Sequence, residues 1–151
     1  MNKINKRILQ LMFIYIFSGI IYYLIEVLYR GYSFLSMFFL AGVCGIFLFL
    51  LNNIFTYEMD FLLQTIISSI VCTFLEYCTG MLINQNFNIW DYRGLFGTFG
   101  NGQVNIFFSC AWGIISLFAI PLFDYIDWHY FNYKPDIKPY YKILGKKFYL
   151  Y

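Results

Sequence analysis

The residues equipped for chemistry gather between Trp90 and Gly113, in the stretch WDYRGLFGTFGNGQVNIFFSCAWG. Asp91 and Arg93 bring opposite charges, Asn101 and Gln103 bring amides, and Trp90 and Tyr92 bring an N–H and an O–H on large rings. Five glycines allow the backbone to bend tightly around them. Two more carboxylates, Glu26 and Glu76, stand inside long apolar runs. An uncompensated carboxylate in hydrocarbon costs at least about 2.5–3.5 kcal/mol, so both call for partners and both are candidates for use.

Depth brings these groups to one end. At about 1.5 Å per residue, Glu26 lies roughly 27 Å from Ile8 and Glu76 roughly 22 Å from Phe61, which places both toward the far side of a core about 30 Å thick. Arg30 follows Glu26 at i, i+4, acid before base, the favourable order for pairing on a helix. Ser69, Thr73, Glu76 and Gly80 share one helical face, which should point at protein. The candidate polar cluster is therefore Glu26, Arg30, Glu76, Trp90, Asp91, Tyr92, Arg93, Asn101 and Gln103, with Glu76 at its centre. Two uses fit it. In one, Glu26 pairs with Arg30 and Glu76 with Arg93, and the cluster pins helix ends. In the other it binds a ligand.

The elements that position these residues follow from composition. Of 151 residues 61% are hydrophobic and 12% charged, against roughly 25% charged in soluble domains, so lipid solvates most of this surface. Four runs are long enough to span: Ile8 to Leu28, Tyr32 to Leu51, Phe61 to Ile83 and Val104 to Phe123. The first is too long for a signal-peptide core and should remain in the mature protein. The fold class expected is an all-α integral membrane protein of four transmembrane helices, with an ordered outer loop, 84–103, between helices 3 and 4. Gly42, Gly45, Ser109 and Gly113 offer close-packing faces, and a homodimer is expected from them. Pro121 should kink or end the fourth helix.

The domain reading is a transmembrane unit, 1–123, followed by a tail, 124–151, whose aromatics and lysines suit the inner interface, with breaks at Pro135 and Pro139. Lys3, Lys6, Arg7, Lys134, Lys138, Lys142, Lys146 and Lys147 fall on one side and Arg30 and Arg93 on the other, so both termini should be cytoplasmic, in the cell membrane. The net charge of +2 is dispersed, which sets nucleic acid aside. Cys44, Cys72, Cys78 and Cys110 lack metal-ligand spacing and His129 sits in an aromatic belt, so neither a metal nor a cofactor is expected. Leu24-Ile25-Glu26 with Gly31 echoes Phe74-Leu75-Glu76 with Gly80, the pattern of a two-helix repeat.

Glu26-Val27-Leu28-Tyr29-Arg30-Gly31, Leu75-Glu76-Tyr77 with Thr79-Gly80, Trp90-Asp91-Tyr92, and Asn101-Gly102-Gln103 leading to Trp112-Gly113 together resemble the putative ABC-transporter permease-like family labelled type IV. Where members of that family commonly carry serine after WDY, this chain has Arg93, and Ala41-Gly42-Val43-Cys44-Gly45 stands in place of a proline-bearing motif. The resemblance implies a small bacterial multi-helix membrane protein with a transport label. With no GxxxxGK[ST] stretch, ATP hydrolysis would need a separate ATPase subunit. A transport component binding a small or lipidic ligand near the outer leaflet is the preferred reading. A membrane enzyme using Glu76 with Asp91 or Glu26 as an acid/base pair, and a non-catalytic regulatory subunit, are the alternatives; no nucleophile with an adjacent histidine favours the enzyme.

The orientation has a direct test. A single cysteine at position 97 in a cysteine-free background is expected to react with an impermeant reagent in intact cells; reaction only after permeabilisation would reverse the assignment.

Overall fold

The computed structural model describes residues 3–131 and 136–151. Four helices, α1 (Lys3–Arg30), α2 (Leu35–Ile54), α3 (Phe61–Ile83) and α4 (Ile106–Ile126), carry the chain, and all four are long and apolar enough to cross a membrane. The fold is thus the four-span helical one expected. α1 extends past its apolar run in both directions. Its 28 residues reach about 42 Å, so Lys6 and Arg7 at one end and Arg30 at the other extend past the hydrocarbon. The third span has the predicted bounds because Asp60 caps it: its Oδ1 accepts from the Leu62 N–H at 2.9 Å.

α1 and α2 form one hairpin and α3 and α4 another, with α2 packed against the other three helices. Glycines make the seams. A Cβ on Gly19 or Gly42 would lie 2.7 Å from the rings of Phe38 and Tyr15, and one on Gly45 would lie 1.9 Å from the Ser18 hydroxyl oxygen. On the second hairpin Ser69 donates to the Ser109 carbonyl oxygen at 2.6 Å. Gly42, Gly45 and Ser109, three of the small residues offered for self-association, make close contacts within the chain.

The fourth span begins later than expected because Val104–Asn105 (β2) pairs with Thr98–Phe99 (β1). Asn105 then caps α4, its Oδ1 accepting from the Phe107 N–H at 2.9 Å. Pro121 does not end the helix, which continues to Ile126 before widening into a π-helical turn over Asp127–Phe131. The position drawn as the start of the tail, 124, lies in the last turn of α4.

Beyond it, β3 (Tyr141–Ile143) and β4 (Lys146–Phe148) form a hairpin seated on the linker before α3. Asp60 Oδ2 accepts from the Leu144 N–H at 2.8 Å, and Glu58 accepts from Tyr140 and Lys142, which holds the Glu58 carboxyl below its usual range, chiefly through Lys142. Tyr141 is 2% exposed and packs on Phe61 with ring centres 4.9 Å apart. Pro139 is buried, whereas Tyr133, Lys134 and the break expected at Pro135 lie outside the described residues, as does Met1.

This end of the bundle also holds a polar network. Asp124 Oδ2 accepts from Asn52 and Tyr141 at 2.7 and 2.8 Å, and Gln10 donates to Asp127 while accepting from Arg7 at 2.8 Å. These groups tie α1, α2, α4 and the C-terminal hairpin together.

Overpacking predicts a contrast between two glycines. Gly45→Ala is expected to lower stability by about 1–3 kcal/mol, read as a drop in the thermal unfolding midpoint in matched detergent. Gly113→Ala, whose Cβ would meet Ser69 at an ordinary 3.6 Å, should leave that midpoint nearly unchanged; equal effects would refute this account of the seams.

Candidate functional site

Glu76 lies in α3 and is 2% exposed. Tyr92 donates its hydroxyl to Glu76 Oε1 at 2.8 Å and Trp112 donates its indole N–H to Oε2 at 3.2 Å. Both donors are neutral, and no ion pair to Glu76 occurs among the described residues. Each donor is backed by a second ring. Tyr92 stacks on Phe108 with centres 4.7 Å apart and Trp112 on Tyr22 at 5.1 Å. Burial, then the Glu76 carboxylate, raises the Tyr92 hydroxyl far above its usual range, so it remains a donor.

The Glu76–Arg93 pair of the helix-pinning alternative does not form. Arg93 turns to Asp91, two residues back, with Nε and Nη2 on the two carboxylate oxygens at 2.9 and 2.8 Å, and its guanidinium lies 3.7 Å from the centre of the Phe87 ring. The side chains of Arg93 and Asp91 are 58% and 40% exposed, and the Arg93 side chain holds the Asp91 carboxyl below its usual range. A short-range fork of this kind outcompetes a partner whose approach would require burying the guanidinium. Asp91 is thus engaged with Arg93 and Glu76 with Tyr92 and Trp112, and no hydrogen bond joins the two carboxylates among the described residues.

Glu26 and Arg30 do pair, at 3.0 Å. Glu26 Oε2 also accepts from Ser33 at 2.5 Å, while Arg30 donates Nη1 to the Ile89 carbonyl at 3.0 Å and Nε to the Tyr32 carbonyl at 3.1 Å. Arg30 thus ties the end of α1 to the loop after α3. Tyr22, one turn before Glu26, stacks on the tryptophan that holds Glu76, so the two carboxylate sites adjoin through an aromatic pair.

The remaining loop residues build the platform that aims Tyr92. Trp90 donates its indole N–H to the Gln103 carbonyl at 2.9 Å. Asn84, which the sequence did not single out, donates to the Trp90 carbonyl at 2.7 Å and to Gln103 Oε1 at 3.1 Å, and accepts from the Ile89 N–H at 2.9 Å. Gln103 returns its amide N–H to the Asn84 carbonyl at 3.1 Å. Gly80 makes room for it: a Cβ there would lie 2.4 Å from Gln103 Oε1. Trp90, Asn84 and Gln103 are all buried. Asn101 instead is exposed at a turn with φ +56°. Thr98 donates to the Tyr92 carbonyl at 2.6 Å, which closes the loop over Glu76.

The loop is therefore ordered, with a signal in the sequence: an asparagine ending one apolar run, followed by WDY and NGQ. The sequence matches the family described as Putative ABC-transporter type IV over residues 9–144. The chain belongs to that family. With four spanning helices, it is a multi-pass membrane protein related to ABC-type transport. No curated protein and no solved structure matches it.

The geometry separates the two arginines. Glu76→Gln and Tyr92→Phe should couple by about 0.5–3 kcal/mol in a double-mutant cycle of unfolding, because they share one hydrogen bond. Glu76→Gln and Arg93→Gln should add without coupling; coupling between these two would restore the discarded ion pair.

Proposed function

We propose that this chain is the membrane-spanning component of a transport system and that Glu76 is the centre of its ligand site. The observation that carries the reading is a buried carboxylate, in a spanning helix, held by two neutral donors. A helix-pinning role is met more cheaply by an ion pair such as Glu26–Arg30, whereas a carboxylate without a counter-cation is available to a cationic group, a proton or a ligand hydroxyl. Thr73, one turn away on the same helix, carries a buried hydroxyl with no hydrogen-bond partner among the described residues, a further group that a ligand would satisfy.

The basic residues at the end opposite the loop favour termini in the cytoplasm and a loop facing out. Energy would come from a separate ATPase docking on the cytoplasmic end, where Glu58 and Lys147 stand half-exposed on the linker and hairpin. Family membership supports this division of labour, as does the absence of a P-loop motif in the sequence. A second copy is a further partner to be looked for in the same preparation.

The test is purification from native membranes in mild detergent. A nucleotide-hydrolysing subunit should co-purify in fixed stoichiometry, and Glu76→Gln should keep the assembly while lowering its ATP turnover on the order of tenfold, about 1.4 kcal/mol. Absence of any such subunit, or turnover indifferent to Glu76→Gln, would reject the proposal.

A further inference from the structure

α1 and α4 frame a lateral window in the part of the bundle that meets lipid. At one end they are bridged by Phe17 and Phe123, ring centres 6.4 Å apart, and toward the loop by the stacked Tyr22 and Trp112. Ala41, Cys44, Gly45 and Leu48 of α2 form the floor. Small floor residues give the recess its depth, about 260 Å³. Its rim is Ile21, Ile25, Phe118 and Leu122, between 42% and 73% exposed.

We propose that this window is a binding site for one acyl chain of a membrane amphiphile. The lining is almost wholly apolar: of its two hydroxyl-bearing residues on α1, Ser18 already donates to the Ile14 carbonyl at 2.7 Å, and Tyr22 lays its ring on Trp112 at the loop end of the recess. Water and a headgroup would find few partners inside. A helix from another protein is about 10 Å across and does not fit a recess of this volume crossed by aromatic pairs at two levels. A hydrocarbon chain does, and it gains dispersion contacts with walls that otherwise face a gap. The exposed apolar rim lies on spanning helices, so acyl chains are the medium that borders it.

The window shares a wall with the polar site. Trp112 lines it and donates to Glu76, so a chain pressed against the Tyr22–Trp112 pair bears on the donor that holds the carboxylate. This coupling rests on reading Glu76 as the ligand site and names the ligand class as an amphiphile whose tail sits in the window; the tail site itself stands without that reading.

The experiment uses the full chain in phosphatidylglycerol/phosphatidylethanolamine nanodiscs containing a phospholipid with a photoreactive diazirine midway along one acyl chain, with the label mapped by peptide mass spectrometry. Label is expected on 17–25 and 115–122. Ala41→Phe, which fills the floor, should lower it on the order of tenfold relative to label at Ile66 and Ile114, exposed apolar residues in the middle of α3 and α4 outside the window. Ala119→Phe, from the opposite wall, serves if Ala41→Phe does not fold. Window label that is no denser than at Ile66 and Ile114, or that persists in the filled variants, overturns the site. The two readings fail separately: window label with ATP turnover insensitive to Glu76→Gln keeps the tail site and removes the transport reading, and the reverse pattern removes the tail site alone.

Discussion

A carboxylate within a membrane has to be met by donors, and in this protein the one at Glu76 is met without a cation. Much of the loop end follows from that. Tyr92 reaches Glu76 because Asn84, Trp90 and Gln103 close a buried amide and indole network beneath the chain on either side of it. Trp112 reaches it from α4 because Asn105 and the short β pair set where that helix starts. Aromatic stacking behind both donors restricts their rotamers, which is how neutral hydrogen bonds are kept in a fixed geometry.

The opposite end is solved differently. Asp124 and Asp127 are also buried, and amides from α1 and α2, with Tyr141 from the hairpin, converge on them. Charged groups sit at the rim, where Glu58 takes Lys142 and Lys147. The bundle thus has a polar layer at each end and apolar packing between, with glycines letting α1 and α2 approach closely through the middle.

The spans and the Glu26–Arg30 pair were legible in the sequence, because apolar run length and i, i+4 spacing are local properties. So was the gathering of WDY, NGQ and Glu76 at one end, since depth along a helix is arithmetic. The partner of Arg93 was not legible. Ion-pair assignment across segments depends on which side chain remains solvated, and Asp91 next door offered a fork that leaves the arginine in water. Nor were Gln10 and Asn52 legible, since an uncharged amide within an apolar run carries no local sign that it will anchor a network. Val104 and Asn105 looked like the start of a helix because their apolar neighbours continue into one; pairing with Thr98 and Phe99, a non-local event, withdrew them.

Asp60 has two oxygens and two duties: one caps α3 and the other accepts from the turn of the C-terminal hairpin. Sixteen residues along the same helix stands Glu76, about 24 Å away. α3 is thereby a rod clamped at its foot by the hairpin and gripped near its head by Tyr92 and Trp112. Sliding it along its axis would strain both grips together, so the two faces of the membrane share one mechanical part.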